Sequence, residues 1–123
     1  MTKAKVRVLI VENEAIVSMD MRYQLEAMGY YVPAEISSGE AAVEAASQLH
    51  PDVVLMDIRL SGEMDGIEAA EEIRRRFHIP VIYLTGSADE AKLTRDKTTD
   101  PFVYLFKPFD YAELKAIIDK SIQ

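Results

Sequence analysis

Val53-Val54-Leu55-Met56-Asp57 decides the fold. Four apolar residues run on without polar alternation and end on a carboxylate. Such runs mark strands whose two faces are both covered, as in parallel sheets flanked by helices. Three more runs have this form: Val6-Arg7-Val8-Leu9-Ile10-Val11, Val81-Ile82-Tyr83-Leu84 and Phe102-Val103-Tyr104-Leu105-Phe106. Each leads at once to polar residues, namely Glu12 and Asn13, Thr85, and Lys107. Ligands of open α/β sheets bind beyond the carboxyl ends of the strands. These groups are therefore expected to meet around Asp57.

Helix-like segments separate the runs, which reads as βαβ repeats around a parallel sheet. A weaker run, Tyr31-Val32-Pro33-Ala34-Glu35-Ile36, contains a proline that cannot donate to a ladder, so it belongs at a sheet edge. Four helix starts fit the capping-box spacing: Ser37 with Glu40, Asp65 with Glu68, Ser87 with Glu90, and Asp110 with Glu113. The first helix carries Val17, Met21, Leu25 and Met28 as one apolar stripe, and Gly29 is a natural stop. Ile67, Ala70, Ile73 and Phe77 mark the third helix, and Leu114, Ile117 and Ile118 the fifth. The polar stretch Arg95 to Pro101 reads as a helix end and loop.

The 123 residues are expected to form one domain, 1–123, with no internal linker or repeat. A net charge of −7 argues against direct nucleic-acid binding and against an anionic membrane surface. No cysteine is present, which excludes disulfides and thiolate metal sites and fits a reducing, cytoplasmic location. No apolar stretch has the length of a membrane span.

A lone aspartate at a strand end is commonly a turn-former or cap. Its companions give Asp57 a second reading. A phosphoryl group in transfer spreads negative charge over its oxygens and needs cations and donors at fixed positions. Glu12, Asn13 and Asp57 can offer oxygens to Mg²⁺ or Mn²⁺. Lys107 can pair with Asp57 before reaction and with a phosphoryl oxygen afterwards, and Thr85 can hydrogen-bond that oxygen. His50 and His78 have no metal-ligand partner at suitable spacing. Arg74-Arg75-Arg76 reads as the solvated end of a helix.

Leu9-Ile10-Val11-Glu12-Asn13-Glu14, Val54 to Leu60, Met64-Asp65-Gly66, Ile79 to Thr85 and Lys107-Pro108-Phe109, in this order and spacing, resemble the receiver domain of two-component response regulators. The resemblance runs from Val6 to about Ile118. It implies a doubly wound five-stranded parallel sheet of order 2-1-3-4-5. It also implies that Asp57 is the phosphoacceptor for a phosphohistidine of a sensor histidine kinase or phosphotransfer protein. Glu12 and Asn13 fall at the metal-site pair, and Arg59 would lend its backbone carbonyl to the metal. Thr85 and Tyr104 fall at the switch positions and Lys107 at the phosphate contact, with a cis Lys107–Pro108 bond. An output partner or a second copy would dock on the face of the fourth helix, last strand and fifth helix. In the family, the positions of Arg59 and Ser87 tune dephosphorylation.

Asn13 departs from the family's usual second acid and leaves the pocket about one negative charge short, so weaker Mg²⁺ binding is expected. Asn is also a favoured N-cap, and Asn13 directly precedes a helix, so both roles stay open. Gly86 stands where alanine is common. The loop Leu60 to Met64 lacks the frequent proline, and Asp100-Pro101 replaces a Gly-Ala pair. Two alternatives compete: a receiver-like interaction module that works without phosphorylation, and a phosphohydrolase with an aspartate nucleophile. The second wants an acid where Arg59 stands.

Overall fold

The computed structural model describes residues 4–60, 62–97 and 103–123. Five strands and five helices alternate: β1 (Val8–Val11), α1 (Ala15–Ala27), β2 (Glu35–Ile36), α2 (Gly39–Leu49), β3 (Val53–Asp57), α3 (Gly66–Phe77), β4 (Val81–Thr85), α4 (Ala88–Lys97), β5 (Val103–Phe106) and α5 (Tyr111–Ser121). The strands form one parallel sheet of order β2-β1-β3-β4-β5, as expected. No helix among the described residues is long and apolar enough to cross a membrane.

Residues one apart along the central strands enter opposite cores. Leu9, Val11, Val54, Met56, Val81 and Tyr83 meet α2 and α3. Val8, Ile10, Val53, Leu55, Ile82 and Leu84 meet Met21 and Leu25 of α1 and Leu114 and Ile118 of α5. Both faces are dry, which is why the sequence shows continuous apolar runs. The second strand shrinks to two residues. Before Pro33, only an isolated Arg7–Tyr31 bridge continues its pairing with the β1 side.

The helix starts differ in detail from their sequence signatures. Among the described residues, only Asp65 and Glu68 complete a capping box. The cap of α2 is Ser38, which accepts from the Ala41 N–H at 3.2 Å, and not Ser37. Glu40 instead accepts from the Met64 N–H at 2.6 Å and ties down the loop after β3. Ser87 accepts from the Glu90 N–H at 3.2 Å, whereas the Glu90 carboxylate turns elsewhere. Asp110 accepts from Ala112 N–H at 2.7 Å. The cap of α1 is Glu14, with no side-chain bond, so Asn13 does not cap that helix. His50 and His78 end α2 and α3 in the left-handed conformation.

Arg75 and Arg76 are exposed, but Arg74 is not part of a solvated end. One of its guanidinium nitrogens is buried beside Tyr83. Burial pushes the Tyr83 hydroxyl up to about 12, against the pull of Arg74. Ser61 and residues 98–102, which include the Asp100-Pro101 pair and the expected strand residue Phe102, lie outside the described residues.

Parallel register places the site. Val11 pairs with Met56, Asp57 with Leu84, and Thr85 with Phe106. One further step along each strand brings Glu12 level with Asp57 and Lys107 beyond Thr85. The Lys107 N–H donates to the Thr85 carbonyl at 2.7 Å and extends the β4–β5 pairing to the lysine. The start of α3 presses on the end of β3: the Gly66 N–H donates to the Ile58 carbonyl at 3.1 Å. A Cβ on Gly66 would collide with the backbone carbonyl of Asp57. Gly66→Ala is expected to cost about 2 kcal/mol or more, because backbone must move on both sides. Urea unfolding of the variant beside wild type checks this, and unchanged midpoints would contradict the contact.

Candidate functional site

Glu12, Asp57 and Thr85 are buried polar residues at the carboxyl ends of β1, β3 and β4, with 3%, 7% and 0% exposure. Lys107, just past β5, reaches between the two acids. Its Nζ lies 3.1 Å from Glu12 Oε1 and 3.5 Å from Asp57 Oδ2. Backbone donors complete the acids: the Glu14 N–H reaches Glu12 Oε2 at 3.1 Å, and the Arg59 N–H reaches Asp57 Oδ1 at 3.2 Å. The Lys107–Pro108 peptide is cis.

Charges this close control one another. Burial, then the hydrogen bond with Glu12, push Asp57 up to about 7, although Lys107 pulls against them. Burial also opposes ionisation of Glu12. Its bonds to Asp57, the Glu14 N–H and Lys107 nevertheless hold its carboxyl below the usual range. For Lys107, burial favours the neutral amine, but the two acids win and raise it. The two acids thus pull apart, Asp57 upward and Glu12 downward, around one ammonium group.

A cleft of about 460 Å³ opens over Asp57 and is lined by Asn13, Glu14, Arg59, Gly86, Ser87, Glu90 and Lys107. Asn13 is exposed at its rim. Among the described residues no group of three His, Cys, Asp or Glu is arranged to hold a metal. The oxygens on offer are the carboxylates of Glu12 and Asp57, the Asn13 amide and nearby backbone carbonyls. That all-oxygen set with room for water suits Mg²⁺. Two buried carboxyl groups at neighbouring strand ends are also a place where a cation would relieve repulsion.

Thr85 belongs to the site through a residue that sequence reasoning assigned only to helix capping. Its hydroxyl lies 2.9 Å from the Ser87 carbonyl and 3.1 Å from Glu90 Oε1. Glu90 Oε1 also accepts from the Gly86 N–H at 2.8 Å, and Glu90 Oε2 pairs with Arg59 Nε. Burial opposes the Glu90 charge, but these donors hold its carboxyl below the usual range. The spacing Ser-x-x-Glu was the only signal, and it serves a capping box equally well. Tyr104 lies outside the cleft, half-buried on β5 against the α2–α3 core and edge-on to Phe106 at 5.2 Å.

The description "Response regulator receiver domain" matches residues 8–119. The chain belongs to this family, the receiver domains of two-component response regulators. It is 35% identical over 116 residues to the transcriptional regulatory protein PdtaR of Mycobacterium tuberculosis, covering 94% of this chain and 56% of PdtaR. The chain thus spans about half the length of that curated relative. Its structure is similar to the signal receiver domain of a modulated diguanylate cyclase from Desulfovibrio desulfuricans G20, with TM-score 0.86 and 35% identity, covering 97% of this chain and 94% of that one. It is also similar to the receiver domain of the sensor histidine kinase PA1611 from Pseudomonas aeruginosa PAO1, with TM-score 0.84 and 31% identity, covering 97% and 98%. That receiver carries a magnesium ion coordinated in its active-site cleft.

The raised Asp57 has a measurable consequence without metal. Its unfolded carboxyl ionises near the ordinary 3.8 and its folded one near 7. The unfolded chain therefore gives up this proton first as pH rises. Stability from the protonated group is complete below about 4 and is lost as pH climbs through 7. Solvent screening at the cleft mouth reduces the loss to about 2 kcal/mol. Asp57→Asn, unfolded by urea with chelator present, should lack this decline. Parallel pH profiles for the two proteins would contradict the assignment.

Proposed function

We propose that this chain is a phosphorylatable switch in which Asp57 accepts a phosphoryl group from a phosphohistidine of a sensor histidine kinase or phosphotransfer protein. One observation carries the reading: Lys107 joins two buried carboxylates at the floor of an open cleft. An ammonium held there neutralises Asp57 before transfer and meets a phosphoryl oxygen after it. In the transfer, the phosphorus–nitrogen bond of the donor breaks as the bond from phosphorus to an Asp57 carboxylate oxygen forms. Asp57 must be ionised to attack.

Mg²⁺ would be held by Glu12, Asp57, the Asn13 amide oxygen and the Arg59 carbonyl. When bound, it neutralises charge on the transferring group. Glu12 and Lys107 position the attacking carboxylate, and the Arg59 N–H fixes one of its oxygens. The Thr85 hydroxyl then turns to the phosphoryl group, and Tyr104 follows inward. This shifts the population toward a second arrangement of α4, β5 and α5, where Val103 and Phe106 already expose apolar surface. An output partner or second copy would read that face.

Two experiments test the reading. Incubation with acetyl phosphate and Mg²⁺ should add one phosphoryl group by intact mass, and Asp57→Ala or chelator should abolish it. An adduct indifferent to both controls would defeat the proposal, and no adduct at all would favour an interaction module that works without phosphorylation. Separately, Asn13→Asp should tighten Mg²⁺ binding by about three- to tenfold, because a charged ligand replaces a neutral one. A metal titration followed by tyrosine fluorescence or NMR reads this, and equal affinities would remove Asn13 from the metal site.

A further inference from the structure

Three donors stand beside the Asp57 cleft: the Thr85 hydroxyl, the Gly86 N–H and the Arg59 guanidinium. One carboxylate lies within hydrogen-bond reach of all three. Glu90 Oε1 lies 3.1 Å from the Thr85 hydroxyl and 2.8 Å from the Gly86 nitrogen, and Oε2 pairs with Arg59 Nε. The Glu90 side chain is only 12% exposed and lines the same cleft as Asp57 and Lys107. An anion with its oxygens spread over a hydroxyl, an amide and a guanidinium is bound as a free anion would be. Here the anion is tethered to α4.

Helix capping does not explain this placement. Ser87 Oγ already accepts from the Glu90 N–H at 3.2 Å. In a capping box the Glu90 carboxylate would return to the Ser87 N–H. That N–H instead faces Thr85 Oγ1 at 3.3 Å, and the carboxylate passes over it to Gly86 and Thr85. Thr85 has one hydroxyl proton. It has the Ser87 carbonyl at 2.9 Å and Glu90 Oε1 at 3.1 Å as acceptors. It cannot serve a phosphoryl oxygen until it leaves both. Glu90 and a phosphoryl group would also repel each other across the cleft.

We propose that Glu90 is a resident anion that occupies the donors a phosphoryl group on Asp57 needs, so that phosphorylation completes by exchange of one anion for the other. The phosphoryl oxygens take the Thr85 hydroxyl and the Gly86 N–H, and Glu90 withdraws with the first turn of α4. This rests on the acceptor reading of Asp57. The two anions exclude one another, so the coupling is reciprocal: whatever draws Glu90 outward makes Asp57 easier to load, and loading Asp57 releases the start of α4.

The test uses beryllium trifluoride, a tetrahedral phosphoryl analogue, titrated with Mg²⁺ into wild type, Glu90→Gln and Asp89→Asn. Asp89 is exposed in the same turn and serves as the charge-matched control. Glu90→Gln should lower the analogue concentration at half-saturation by about tenfold, the scale of a lost charged hydrogen-bond set. Asp89→Asn should change it by less than about twofold. In wild type, the Gly86 amide and Arg59 Nε–H resonances should move as the analogue displaces the carboxylate, whereas in Glu90→Gln they should already differ before the analogue is added. Equal half-saturation for wild type and Glu90→Gln, or equal gains in both variants, would overturn the exchange and leave the acceptor reading intact. Binding in none of the three proteins would overturn both.

Discussion

Everything at this end of the sheet depends on an ammonium placed between two carboxylates that water barely reaches. Glu12 and Asp57 come from neighbouring strands, and without a cation their proximity would be strongly unfavourable. Lys107 comes from beyond the far edge strand, so its reach depends on β4 and β5 staying in register. The Lys107 N–H to Thr85 carbonyl bond fixes that register at the last possible residue. Deleting one member of such a group leaves the others charged and poorly paired, which is more damaging than never having built it.

The cleft has two sides with different characters. Its floor is acidic, with the lysine between the acids and oxygens suited to a hard cation. Its rim on the α4 side carries a hydroxyl, an amide and a guanidinium gathered around the Glu90 carboxylate. A transferred phosphoryl group needs both, because its charge must be neutralised and its oxygens must be oriented. The floor is built by buried, paired strand ends. The rim begins a helix whose only fully buried apolar side chain, among those described, is Ala91. The proposed acceptor thus sits on the strand side, and the proposed readout on the helix side.

Most of this could be read in the chain. Residues 53–57 and 81–85 announce strands because burial on both faces leaves no polar alternation. The acids, the hydroxyl and the lysine announce a site because each directly follows such a run. Other features were illegible for physical reasons. Ser37 and Ser38 are both good caps, and only backbone geometry chooses between them. Arg74 looks like its neighbours Arg75 and Arg76, yet tertiary packing turns it toward Tyr83. Glu90 satisfies a helix-start pattern on paper, and only the path of the β4–α4 turn sends its carboxylate into the cleft. Asn13 invited a capping role that the start of α1 at Ala15 does not use.

The two borders of the sheet are unequal. On one side β2 is two residues long, with Pro33 just before it, so a visiting extended chain finds few free amides and carbonyls to zip onto. On the other side β5 offers four residues in sequence, with Val103 and Phe106 partly open to solvent. Strand addition by another chain therefore has one open flank, the one that also carries Tyr104. Such an addition would cover the backbone of Tyr104 and its neighbours.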